Sequence, residues 1–125
     1  MTHIFDRLLK KILVVDDESD VTYTLQKMIE KDGYDVQTYN DPRLALKSFK
    51  QGLFDLVLLD IRMPHMDGFK MFEQIRKKDD KVKVCFMTAF EVYRDQFGQL
   101  PSSDIQHFIE KPVELIELRR ILQDL

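Results

Sequence analysis

Four apolar runs in this chain end in polar groups that an ordinary hydrophobic core would not choose: Val14-Val15-Asp16-Asp17, Leu58-Leu59-Asp60, Phe86-Met87-Thr88 and Phe108-Ile109-Glu110-Lys111-Pro112. If each run is a buried strand, its C-terminal end brings carboxylates, a hydroxyl and an ammonium to one edge of a parallel sheet, where open α/β folds place their ligands. Asp16 and Asp17 cannot point the same way within a strand, but at its fraying end both can approach one cation. Mg²⁺ suits such a site, because it takes one or two carboxylates together with phosphate oxygens and keeps several waters. Asp60 adds a third carboxylate, and three held close repel one another unless a cation neutralises them. A carboxylate is also a nucleophile able to form an aspartyl phosphate. In that transfer the cation, the Lys111 ammonium and the Thr88 hydroxyl can each stabilise one transferred oxygen.

Those residues need a frame, and from Lys11 onward the sequence supplies one. Apolar runs of strand length alternate with segments of helical periodicity, the pattern of βαβ units. Strands are expected over Lys11 to Asp16, Tyr34 to Tyr39, Phe54 to Leu59, Lys81 to Met87 and Ile105 to Ile109. The most continuous of them, Phe54 to Leu59, reads as the central strand, covered on both faces. Helices are expected over about Asp20 to Lys31, stopped by Asp32-Gly33, and from Asn40-Asp41-Pro42, where Asn or Asp can cap, to Gly52. Two more run from about Asp67 to Lys77 and from Val113 to Leu125. Phe90, Tyr93 and Phe97 recur at helical spacing, but Gly98 and Pro101-Ser102-Ser103-Asp104 predict a short helix followed by a long loop.

Composition bounds the rest. A chain of 125 residues suffices for one domain, here residues 11–125 with an N-terminal extension over 1–10. Its 19 Lys and Arg against 22 Asp and Glu give a net charge of -3 with no basic run, which argues against direct nucleic-acid or anionic-membrane binding. No apolar run approaches membrane-spanning length, and a soluble protein in a reducing, cytoplasmic setting is expected. Cys85 is the single cysteine and reads as a small core residue; His3, His65 and His107 share no metal-ligand spacing.

Together the segments Ile12 to Glu18 (ILVVDDE), Asp55 to Gly68 (DLVLLDIRMPHMDG), Met87 to Ala89 (MTA) and Phe108 to Pro112 (FIEKP) resemble the response-regulator receiver domains of two-component signalling, in order and in spacing. The resemblance spans Lys11 to Leu125 and implies an α/β, flavodoxin-like, doubly wound parallel sheet of five strands in the order 2-1-3-4-5, with five helices. It also implies roles for residues of this chain. Asp60 would be the phosphoacceptor, with Mg²⁺, or Mn²⁺ in its place, held by Asp16, Asp17, Asp60 and the backbone carbonyl of Arg62. Thr88 would be the switch hydroxyl, Lys111 the ammonium, preceding a cis Pro112, and Phe108 the aromatic switch. The implied partners are a histidine kinase or phosphotransfer protein, contacting the region of Val21 to Leu25 and the loop after Lys111, and a downstream effector. The output would be a shift of the face formed by the fourth helix, fifth strand and fifth helix, in a monomer or a phosphorylation-dependent homodimer.

The chain departs from the pattern at Phe90, where receivers carry a small or polar residue, at Arg62, at the Pro101 to Asp104 loop, and at Phe108 in place of the more frequent tyrosine. Phe90 and Arg62 would border the phosphoryl group and tune its hydrolysis. Two other functions compete with this reading. A phosphatase of the haloacid-dehalogenase type needs a second aspartate two residues after the first, where Arg62 stands. A degenerate receiver acting only as a protein-binding module would not need all five site residues. Glycine-rich nucleotide-binding loops are absent among the four glycines.

Overall fold

The structure, a computed structural model, describes residues 9–88 and 107–125. Five strands, β1 (Lys11–Val15), β2 (Asp35–Tyr39), β3 (Leu56–Asp60), β4 (Lys83–Thr88) and β5 (His107–Glu110), alternate with helices α1 (Ser19–Lys31), α2 (Pro42–Ser48), α3 (Gly68–Lys78) and α4 (Leu115–Gln123). All neighbouring strands are parallel, in the order β2-β1-β3-β4-β5, so β3 is the central strand. The four helices are those of the described residues; the expected short helix from Phe90 to Leu100 and the Pro101 to Asp104 loop lie outside them.

Alternation along the strands divides the apolar side chains between two cores. Leu13, Val15, Val57, Leu59, Val84 and Phe86 face Ala45 of α2 and Phe69, Met71, Phe72 and Ile75 of α3. Ile12, Val14, Leu56, Leu58, Cys85, Met87 and Ile109 face Leu25 and Ile29 of α1 and Leu118, Ile121 and Leu122 of α4. Every residue of β3 is buried, as expected of a strand covered on both sides. Cys85 lies fully buried on β4, and burial, with the Glu117 carboxylate nearby, pushes its thiol up to about 12.

Local chemistry sets the element ends. The α1 helix stops where expected: Gly33 takes φ +94, its N–H reaches Glu30 O, and the Tyr34 N–H reaches Ile29 O, which satisfies the last carbonyls. The Asn40-Asp41-Pro42 signal resolves onto Asp41, whose carboxylate accepts from Arg43 N at 2.9 Å with Pro42 opening α2. That helix is shorter than expected, because Phe49 turns to extended backbone and buries its ring against Phe54. At the start of α3, the Asp67 carboxylate accepts from Lys70 N at 2.8 Å.

Candidate functional site

Strand register brings the polar run-ends level. Val15 lies beside Leu59 and Asp60 beside Met87, while Thr88 lies beside Glu110, so the ends of β1, β3, β4 and β5 meet at one edge. Asp16 and Asp60 are buried there, whereas Asp17, two residues past the end of β1, is exposed. Each of the three nevertheless offers a carboxylate oxygen to a cluster whose members all lie within 4.8 Å of one another.

Lys111 reaches this cluster from the start of the loop after β5, where it precedes Pro112 across a cis peptide bond. Its Nζ stands 2.7 Å from Asp16 Oδ2, 3.0 Å from Asp60 Oδ1 and 3.8 Å from the exposed Glu18 carboxylate. The Lys111 N–H donates to Thr88 O at 3.0 Å, which fixes the loop to the end of β4. Thr88 itself is buried, on the same face of the sheet as Phe86 and Phe108. The half-buried Phe108 ring stacks on Phe86 with centroids 5.3 Å apart. Arg62 is exposed, two residues beyond Asp60. Of the sequence candidates, only Phe90 lies outside the described residues.

Crowding of charge shifts the proton affinities of the site. Burial, then the neighbouring Asp16 carboxylate, pushes the Asp60 carboxyl up to about 7, against the pull of Lys111. Burial would lower the Lys111 ammonium, but its contacts with Asp16 and Asp60 prevail and hold it above its usual range. Asp16 Oδ2 is buried and accepts no well-directed hydrogen bond, although the ammonium is 2.7 Å away. One ammonium against three carboxylates leaves negative charge uncompensated. That oxygen, with the two further carboxylates beside it, is a donor set suited to a hard divalent cation such as Mg²⁺.

Other residues shape the site without entering the cluster, among them Gly68 at the end of the Asp55 to Gly68 motif, where Asp67-Gly68 reads from the sequence as a loop and helix start that positions Asp60. The Gly68 N–H donates to Ile61 O at 2.7 Å, and a Cβ at this position would collide with the Asp60 carbonyl oxygen, so α3 can start this close to the acid only with glycine. In the loop between them His65 takes φ 73, the left-handed region that non-glycine residues seldom occupy. Asn40, one of the two residues that could cap α2, leaves that role to Asp41 and reaches across to the Asp16 carbonyl at 2.8 Å.

Comparison with known proteins agrees with this geometry. Residues 12–123 match the response regulator receiver domain family. Regulatory protein AtoC of Escherichia coli K12 is 35% identical over 115 residues, 92% of this chain and 25% of its own length. Among solved structures, response regulator protein TrrA of Thermotoga maritima, in complex with Mg²⁺-BeF, is 33% identical with a TM-score of 0.79, covering 93% of this chain and 98% of its own. The receiver domain of a sensor histidine kinase from Pseudomonas aeruginosa PAO1, with magnesium coordinated in its active-site cleft, is 28% identical with a TM-score of 0.81, over 93% and 96%. The chain spans a quarter to about half the length of the first curated relatives it matches. By this match, and by a fold and strand-edge geometry that accord with it, the chain belongs to the response regulator receiver domain family, the phosphorylation-responsive modules of two-component signalling.

Proposed function

We propose that Asp60 accepts a phosphoryl group from a phosphohistidine on a histidine kinase or phosphotransfer protein, with Mg²⁺ held by Asp16, Asp17, Asp60 and the Arg62 backbone carbonyl. The observation that carries this reading is the meeting of three carboxylates, within 4.8 Å, with the Lys111 ammonium at the C-terminal edge of the sheet. When bound, the cation neutralises the acids and offsets charge on the phosphoryl oxygens. In the transfer an Asp60 carboxylate oxygen bonds to phosphorus, the P–N bond to the donor imidazole breaks, and the departing ring nitrogen takes up a proton. Lys111, 3.0 Å from Asp60 Oδ1, is placed to pair with a phosphoryl oxygen.

Two features support the steps on either side of the chemistry. An open groove of about 490 Å³ runs between α1 and the loop after β5, lined by Val21, Leu25, Met28, Pro112 and Val113 with Lys111 among its walls. Its apolar walls beside the acids suit a helix of the phosphodonor. On the output side, the Thr88 hydroxyl turning to the phosphoryl group changes the room available to Phe108, which shares its face of the sheet, and β5 and α4 pass the change to an effector. By family resemblance Arg62, and Phe90 outside the described residues, would border the phosphoryl group and slow its hydrolysis.

Incubation with acetyl phosphate and Mg²⁺, followed by mass spectrometry, tests the reading. One phosphoryl group is expected on the parent, none on Asp60→Asn and none in EDTA. Decay should be faster in Arg62→Ala and Phe90→Ala. Absence of any Asp60-dependent modification would leave the chain as a binding module independent of phosphorylation.

A further inference from the structure

Asp17 is the weakest-held member of the acid cluster: it is exposed and lies beyond the end of β1, yet its carboxylate meets those of Asp16 and Asp60. Its position therefore depends on the backbone on either side of it. No side-chain cap on the helix that follows supplies that restraint. The restraint comes instead from the end of β2. Asn40 Nδ2 donates to the Asp16 carbonyl at 2.8 Å and to Thr22 Oγ1 at 3.0 Å. A carbonyl only accepts, so the amide must turn its NH₂ group toward it. The buried Thr22 hydroxyl in turn donates to the Ser19 carbonyl at 3.1 Å.

One amide thus ties both ends of the segment Asp16 to Ser19, and the adjoining Tyr39 carbonyl accepts from Asp16 N at 3.1 Å. Within the tied segment, Glu18 N–H donates to Asp16 Oδ1 at 2.9 Å, which sets the rotation of that carboxylate as well. We propose that Asn40 and Thr22 are positioning residues for the acid pair, holding the backbone of residues 16–19 so that Asp17 stays within reach of a cation shared with Asp16 and Asp60. The inference rests on reading the cluster as a Mg²⁺ site. Partners that orient ligands commonly govern metal affinity, and the effect here belongs to the low end of that range because Asn40 is open to water. The same exposure means that truncating Asn40 leaves no cavity in the core.

The test is calorimetric titration of the metal-free chain with MgCl₂, alongside thermal melting in EDTA and amide hydrogen exchange at Glu18. Asn40→Ala should bind Mg²⁺ about tenfold more weakly, and Thr22→Val more weakly than the parent, while Thr22→Ser, which keeps the hydroxyl, binds as the parent does. Glu18 should exchange faster in Asn40→Ala even without metal, with the melting point in EDTA lowered by no more than about 4 °C. Parent-like Mg²⁺ affinity in both Asn40→Ala and Thr22→Val overturns the inference and leaves the site reading intact. If Asn40→Ala melts far lower, the contrast between Thr22→Val and Thr22→Ser decides in its place. A parent chain that binds no Mg²⁺ overturns both.

Discussion

A carboxyl group with a pKa near 7 beside a lysine ammonium is costly to keep ionised in the absence of metal, and that cost can be measured at Asp60. In the unfolded chain this carboxyl titrates near its model value of 3.8, so between that pH and about 7 the unfolded state is ionised while the folded state still holds its proton. Raising the pH through this window therefore favours unfolding, and the loss is complete above about 7. Asp60→Asn removes the titration. Metal-free Asp60→Asn should match the parent near pH 4 and exceed it in stability by on the order of 2 kcal/mol at pH 8, after allowance for solvent screening; urea denaturation in EDTA across that range checks it. Residue types alone disclosed Asp60, Asp16, Asp17, Thr88 and Lys111 as candidates, because a polar group ending an apolar run is conspicuous. Asn40 and Gly68 act on backbone atoms of distant or neighbouring segments, and residue type says nothing about which carbonyl will come near.

At the scale of elements, one side chain joins two loops at the opposite end of the sheet. Asp79, 5% exposed, accepts from Gly52 N at 3.0 Å with one oxygen and from Lys81 N and Val82 N at 2.9 and 3.1 Å with the other. Arg76 reinforces the corner by donating to Val82 O at 2.8 Å. Burial acts to raise the Asp79 carboxyl, but the three backbone donors prevail and hold it below the usual carboxylate range. A depressed folded pKa contributes stability that is present above the unfolded value and is lost as pH falls through the folded one. Asp79→Ala leaves three N–H groups without their acceptor and should cost about 2–4 kcal/mol at pH 7, read as a lower urea midpoint. The parent's advantage over it should shrink as the pH falls below 4. Element types were legible from periodicity, and the Asp32-Gly33 stop gave the end of α1, but several other ends were not legible. The end of α2 depends on where Phe49 finds Phe54, and β3 ends at Asp60 rather than Leu59 because β4 pairs with it through that residue.

For the whole molecule, strand order was the least legible property from periodicity, since alternation of strands and helices fixes parallel crossovers but not which strands are neighbours. It entered through family resemblance, and the observed order agrees with it. The two cores nevertheless follow from the sequence, because odd and even strand positions sort onto opposite faces. Among the described residues no helix is long and apolar enough to cross a membrane. Cys85 gives this layered architecture a reporter of its own. It is the single thiol of the chain, sealed between β4 and the α1/α4 layer and held protonated, so a disulfide or maleimide reagent can reach it only when the layers part. Native protein should resist labelling that urea-unfolded protein undergoes at once, as mass spectrometry would show. Its labelling rate then clocks the opening of the sheet, and a cysteine introduced on the surface can be tagged selectively without removing the native one.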